Sequence, residues 1–460
     1  MLNKFFGTKD FYRRLIILIL PIMLQNGITN FVNMLDNVMV GQVGTAQMTG
    51  VAVSNQLIFV FNLCIFGAIS GAGIFGAQFF GKGDNQGLKH TLRFKMIFCS
   101  ILTLLCTALF VSFGENLINL YLKGEGSTEN AALSLGFAKD YLNIMLIGLL
   151  PYTIAQCYAS TLRETGKTFL PMLAGVSAVL VNLVLNYILI FGHFGAPKLG
   201  VNGAAIATVI SRFVELFVVV IWTHSHSKEN NFIIGIYKSA KVPLSLCKAI
   251  FIKGLPLLLN EALWASGIAT VNQCYSIRGL NVVAGFNISQ TFYNVFSVSF
   301  LSVGMAIGIV LGQQLGSGKI HKAKTTARHL IVFSVIISLV VSVIYALASG
   351  IIPKAYNTTE DVRLLATGLM RISAITMPLE AIANATYFTL RSGGKTLITF
   401  LFDSCFVWSV SVVSAFILSN FTTLPILTIY FICQFLNIIK CIIGIILVEK
   451  GNWVKNIVAD

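Results

Sequence analysis

The stretch MPLEAIANATYFTLRSGGKT, residues 377–396, is apolar enough to sit in a membrane, yet it carries Glu380 near its start. Its tail, TLRSGGKT, echoes TLRETGKT at residues 161–168. Thr161, Leu162, Arg163, Gly166, Lys167 and Thr168 match Thr389, Leu390, Arg391, Gly394, Lys395 and Thr396 at a constant offset. Upstream the echo continues with a slightly longer offset. LPIML at Leu20 aligns with LPLLL at Leu255, and AQFFGKG at Ala77 aligns with GQQLGSG at Gly312. The chain reads as one plan used twice.

The plan is a membrane one. Of the 460 residues 56% are hydrophobic and 11% charged, with a mean hydropathy of +0.82; soluble domains carry about 25% charged residues. Apolar runs of roughly 20 residues predict transmembrane helices. Twelve are expected, at approximately 15–40, 51–80, 94–114, 133–162, 168–192, 203–222, 254–277, 282–315, 329–352, 364–390, 396–419 and 424–448. The expected fold class is all-α and polytopic. Residues 1–227 form an N-terminal six-helix lobe, 228–253 a linker, and 254–460 a C-terminal six-helix lobe. An even number of spans per half makes the repeat parallel, as in transporters that rock two lobes about a central site.

The net charge of +15 follows the positive-inside rule rather than pointing to nucleic acid. Most of the 32 lysines and arginines, among them Lys95, Arg163 and Lys440, fall in segments expected on the inner side. Both termini are therefore expected in the cytoplasm, and the basic turns are expected to meet anionic lipid. No enzyme signature (HExxH, GxSxG) and no phosphate-binding GxxxxGK[ST] loop occurs, and the nine cysteines show no CxxC pair. No enzyme activity, cofactor or nucleic-acid partner is expected.

Five acids fall inside the expected spans: Asp36, Glu215, Glu261, Glu380 and Asp403. A charged side chain there costs at least about 2.5–3.5 kcal/mol and calls for a cavity or a partner. Arg212 lies one turn before Glu215 and is expected to pair with it. The other four have no base within two turns on their own helices. Counted from Lys253, Arg391 and Lys395, Glu261, Glu380 and Asp403 lie about 12, 16 and 12 Å deep. Asp36 lies deeper toward the outside. Their counterparts in the repeat are Asn26, Tyr152, Gly175 and Val271, so the acids were not duplicated with the scaffold. That asymmetry points to function. These four are the candidate cation-coupling and substrate residues, with Asn260, Asn384 and Asn182 as supporting oxygen donors.

At these residues the sequence resembles the multidrug and toxic compound extrusion (MATE) family, in its NorM-like branch. MLDNVMVGQVG at Met34, LPLLLNEALWASG at Leu255 and LEAIANATYFTLRSGGKT at Leu379 carry the resemblance, which covers essentially the whole chain. It implies that Glu261 and Glu380 match the carboxylates of the C-terminal cation site, a possible sodium site, and that Asp36 matches the first-helix aspartate. The DinF-type branch carries Asn-x-x-x-Asp-Pro on the fifth helix, whereas NLVLNYILIFG here has Asn182, Asn186 and Tyr187. That departure favours the NorM-like reading. The resemblance implies a monomeric antiporter of the bacterial inner membrane that exports amphipathic organic cations, antibiotics included, against inward sodium or protons. The alternative is a lipid-linked oligosaccharide flippase of the same superfamily, which would need several unpaired bases in its cavity.

Overall fold

The computed structural model describes residues 7–122, 128–356 and 358–459. Long helices follow one another through short turns: α1 Lys9–Gly41, α2 Thr45–Lys82, α3 Asn85–Leu122, α4 Thr128–Ile147, α5 Leu149–Glu164, α6 Phe169–Phe191, α7 Val201–Ser225, α8 Leu244–Ser276, α9 Leu280–Gly316, α10 Ile320–Ala348, α11 Glu360–Ser392, α12 Thr396–Phe400, α13 Val413–Phe421, α14 Ile426–Phe435 and α15 Asn437–Lys450. Among the described residues ten helical runs are long and apolar enough to cross a membrane, and the bent pair α4–α5 makes an eleventh. In this count α12–α13 and α14–α15 are each one run. The helix α8, where a span was expected at 254–277, is 33 residues long. Asn260 and Glu261 dilute its apolar stretch, and it is not among the eleven.

Local chemistry explains how these helices bend. Between α4 and α5 the axis turns by 48°, where Pro151 has no N–H to return to the carbonyl of Ile147. Pro378 inside α11 likewise frees the carbonyl of Ala374, but there the hydroxyl of Ser342 on α10 donates to it, and α11 continues unbroken for 33 residues. Re-satisfying a carbonyl in this way is what allows proline inside a membrane helix. After α12 the backbone widens into π-helical turns at Leu401–Cys405 and Val407–Val412. Serines take up the loosened carbonyls: Ser409 Oγ donates to Cys405 O at 2.6 Å and Ser414 Oγ to Val410 O at 2.6 Å.

Two compact units result. One contains Met1–Met23, Ala77–Gly83 and Phe251–Asp460; the other contains Leu24–Gly76 and Asp84–Ile250. The core of the first unit gathers Leu15 and Ile19 with Val303, Leu311, Leu330, Leu390 and Trp453, all buried. In the second unit the stretch after α7, expected as a linker, folds back as short turns. Arg93 on α3 holds it by donating to the carbonyls of Ile236 at 2.9 Å and Gly235 at 2.8 Å.

The glycines of the repeated turns divide their work. Gly83 and Gly318 have φ of +80° and +73°, as do Gly166 at +82° and Gly394 at +73°, a left-handed geometry that ends a helix at low cost only for glycine. Gly81 and Gly316 serve close packing instead. A Cβ on Gly81 would run into Gln313 O, and one on Gly316 would run into Gln78 O. Within the first unit the ends of α2 and α9 therefore touch backbone to backbone, in a reciprocal manner, with Ala77 facing Gly312 between them.

Candidate functional site

In the first unit the polar residues line up by helical spacing. Glu380, Asn384, Tyr387 and Arg391 recur on α11 at intervals of four, three and four, which is one face of an α-helix. Glu380 Oε1 accepts the amide of Asn437 at 2.7 Å. Asn437 in turn donates to Gln434 Oε1 at 3.4 Å, Gln434 donates to Tyr430 Oη at 2.8 Å, and that phenol shares a 2.8 Å hydrogen bond with Ser373 Oγ. Glu380 thus ends a chain of neutral groups that runs along the α14–α15 face. It forms no salt bridge among the described residues.

Asp403 behaves differently. The Lys440 ammonium is 2.5 Å from Asp403 Oδ1, and the two side chains are 11% and 15% exposed. Asn260 donates to Asp403 Oδ2 at 3.0 Å and reaches Tyr387 Oη at 3.4 Å, while Ser404 Oγ donates to Asn260 Oδ1 at 2.7 Å. The expectation that all four acids stand unpaired is therefore corrected for Asp403. Its base comes from another helix, α15, and Lys440 is a buried residue of that helix rather than an inner-surface anchor. Glu261, next to Asn260, forms no salt bridge among the described residues. The charges that act on it are those of Arg391 and Asp403, and those that act on Glu380 are Lys440 and Asp403. Asn384 is not joined to Glu380: its Oδ1 is buried against Gly304 of α9.

The second unit holds its own cluster. Asn186 Nδ2 donates to Asp36 Oδ1 at 2.7 Å. With its amide turned to satisfy its neighbours, Asn182 donates to Asp36 Oδ2 at 2.9 Å and accepts from Thr208 Oγ1 at 3.2 Å. Helices α1, α6 and α7 thus bring Asp36, Asn182, Asn186 and Thr208 together, and no base is ion-paired with the acid among the described residues. The expected Arg212–Glu215 pair does not form. Arg212 lies over the Tyr152 ring at 5.1 Å, and Glu215 accepts from Gln156 Nε2 at 3.2 Å.

One buried pair escaped the sequence reading. Lys95 Nζ on α3 lies 2.5 Å from Glu164 Oε1 at the end of α5, the side chains being 0% and 6% exposed. Ser160 and Thr161 also meet the ammonium at 3.2 and 3.1 Å. Among the described residues no group of three or more His, Cys, Asp or Glu gathers as a metal-binding set.

The chain as a whole is similar to proteins of one family. The model of the MatE family matches residues 21–188 and again 256–417. A probable multidrug resistance protein NorM of Thermotoga maritima is 26% identical over 451 residues, covering 97% of this chain and 94% of that protein. The multidrug resistance protein MdtK of Pectobacterium atrosepticum is 27% identical over 88% of this chain and 87% of its own length. A crystal structure of the Vibrio cholerae MATE transporter VcmN superposes with a TM-score of 0.86 at 16% identity, over 96% of this chain and 98% of that one.

Proposed function

The chain belongs to the MatE family of multi-pass multidrug efflux transporters, and on that premise we propose that it exports amphipathic organic cations in exchange for an inward sodium ion or proton. Residues 1–227 and 254–460 act as two rocking lobes joined by 228–253, with both termini in the cytoplasm of a bacterial inner membrane and the monomer as the working unit. Glu380 and Glu261 receive the coupling ion and the outgoing cation in alternation, and Asp36, with Asn182, receives a cation in the other unit.

The observation that carries this reading is the contrast between Glu380 and its neighbour. Among the described residues Glu380 is held by a neutral amide, Asn437, and by no ion pair, whereas Asp403 already has a cation of its own. A carboxylate fixed by a neutral donor keeps its charge available to a ligand; one locked to an ammonium does not. Phe, Tyr and Trp side chains, 11% of the sequence, offer cation–π surfaces to an organic cation.

The test is efflux of a cationic dye from proteoliposomes, with sodium and proton gradients imposed separately. Glu380→Gln and Glu261→Gln should each remove gradient-driven efflux while the protein still purifies as a folded species. Undiminished efflux by both variants would overturn the assignment.

A further inference from the structure

We propose that Lys440 is a built-in counter-ion for Asp403: a specificity-determining residue that withdraws one acid from the cation-receiving cluster and leaves Glu261 and Glu380 to the transported ions. The inference rests on the reading above that this cluster receives cations.

Both carboxylate oxygens of Asp403 are engaged by the chain itself. Oδ1 takes the Lys440 ammonium at 2.5 Å and Oδ2 takes the Asn260 amide at 3.0 Å. The ammonium is enclosed by the rings of Phe402 and Phe406, at 5.4 and 5.9 Å from their centroids. Both rings belong to the same irregular stretch as Asp403, where the π-helical turn begins at Leu401. Such turns insert a residue into the helix and re-aim the side chains around it. Here the widened turn carries the acid, the Phe402 ring and Ser404, which holds Asn260 through Oδ1 at 2.7 Å, and Phe406 follows it directly. The stretch is built around the ammonium.

A tethered cation has an advantage over a free one. Its effective concentration at the carboxylate is in the millimolar range or above without any loss of translational freedom on each encounter. Lys440 therefore holds Asp403 against sodium and against an organic cation alike. The charge it contributes also matters beyond the pair. Asp403 acts electrostatically on Glu261 and on Glu380, so neutralising it changes the field at both. One unit charge at about 10 Å, with an effective dielectric constant near 20, changes the affinity for a monovalent cation about tenfold.

The sign of that change separates this role from others. Lys440→Gln frees an acid and should tighten binding of tetraphenylphosphonium, a permanent hydrophobic cation, about tenfold. Asp403→Asn frees an ammonium and should weaken it by a similar factor, and the double variant should fall between the two. Equilibrium binding to the purified full-length protein in detergent reads all three. A merely structural role for the pair weakens binding in both single variants, and a direct ligand role for Asp403 leaves the double variant as weak as Asp403→Asn; either result overturns the proposal. Should Lys440→Gln fail to fold, the comparison of Asp403→Asn with the double variant decides. Recovery of most of the lost affinity on adding Lys440→Gln supports the counter-ion, and no recovery refutes it. Glu380→Gln in the same assay tests the underlying reading separately, since its loss or retention of affinity does not depend on the signs at residues 403 and 440.

Discussion

Gln25 and Asn260 occupy corresponding places in the two halves of the sequence, and they face different things. Asn260 donates to Asp403 at 3.0 Å. Gln25 lies against Gly175, the counterpart of Asp403, where a Cβ would come within 2.7 Å of its amide nitrogen, and its Oε1 accepts from Arg163 Nη2 at 3.3 Å. The same pair of helices approaches at the same height in each half, through an amide in both cases, but only one half places an acid there. The last long helices differ in the same spirit. Both are 25 residues long, and Glu215 and Lys440 lie equally far from their starts, one an acid and the other a base. A duplicated backbone fixes where polar groups can meet; the chemistry at each meeting point is chosen separately.

The largest difference between the halves is expected at Glu380 and its counterpart Tyr152. Glu380→Gln should reduce gradient-driven dye efflux to that of empty liposomes, whereas Tyr152→Phe should leave it within about threefold of the wild type, since the ring under Arg212 is kept. Equal losses from both would erase the distinction between the halves. Next in size are the reciprocal glycines. Gly81→Val and Gly316→Val each drive a side chain into a facing backbone carbonyl that cannot move aside, so both should lose most of the folded protein recovered by size-exclusion chromatography, and to a similar extent. A large difference between them would show that the contact is not equivalent from its two sides.

Lys95→Met leaves Glu164 buried without its base and should cost about 3–5 kcal/mol, read as denaturant unfolding in detergent. Adding Glu164→Gln should return much of that stability, because the remaining group is neutral and Ser160 still reaches it. The smallest effect is expected at Gly175→Ala. Its new methyl meets the end of a flexible Gln25 side chain, and the cost should stay below about 1 kcal/mol in the same unfolding measurement.

The succession of helices, the doubling of the plan and the acids at Asp36, Glu261 and Glu380 were all visible in the residues, because apolar length and a charge within an apolar run are local properties. The two stretches matched by the MatE model begin 235 residues apart, at Pro21 and Pro256, the same alignment that LPIML and LPLLL indicate. What stayed hidden depends on other helices. Lys440 looked like an inner-surface anchor, although it lies ten residues before Lys450, about 15 Å farther along the helix; that spacing was the available signal. Its partner could not be inferred, since Asp403 is on a different helix and no spacing rule connects them. Arg212 sat one turn from Glu215 and still chose Tyr152, because a neighbour on the same helix competes with aromatic and amide groups from adjacent ones. The π-helical turns around Asp403 contain no glycine or proline that would announce them. The face Glu380–Asn384–Tyr387–Arg391 follows from helical spacing alone, but that spacing does not say which groups of other helices it meets.

The reciprocal contact of Gly81 with Gln313 and of Gly316 with Gln78 is the geometry two identical chains would adopt in a homodimer, where any substitution is inherited by both partners at once. Fusion into one polypeptide removes that bond. Each side can then vary without its twin, and a lone acid–base couple such as Asp403 and Lys440 is accommodated once, where a homodimer would house it in duplicate.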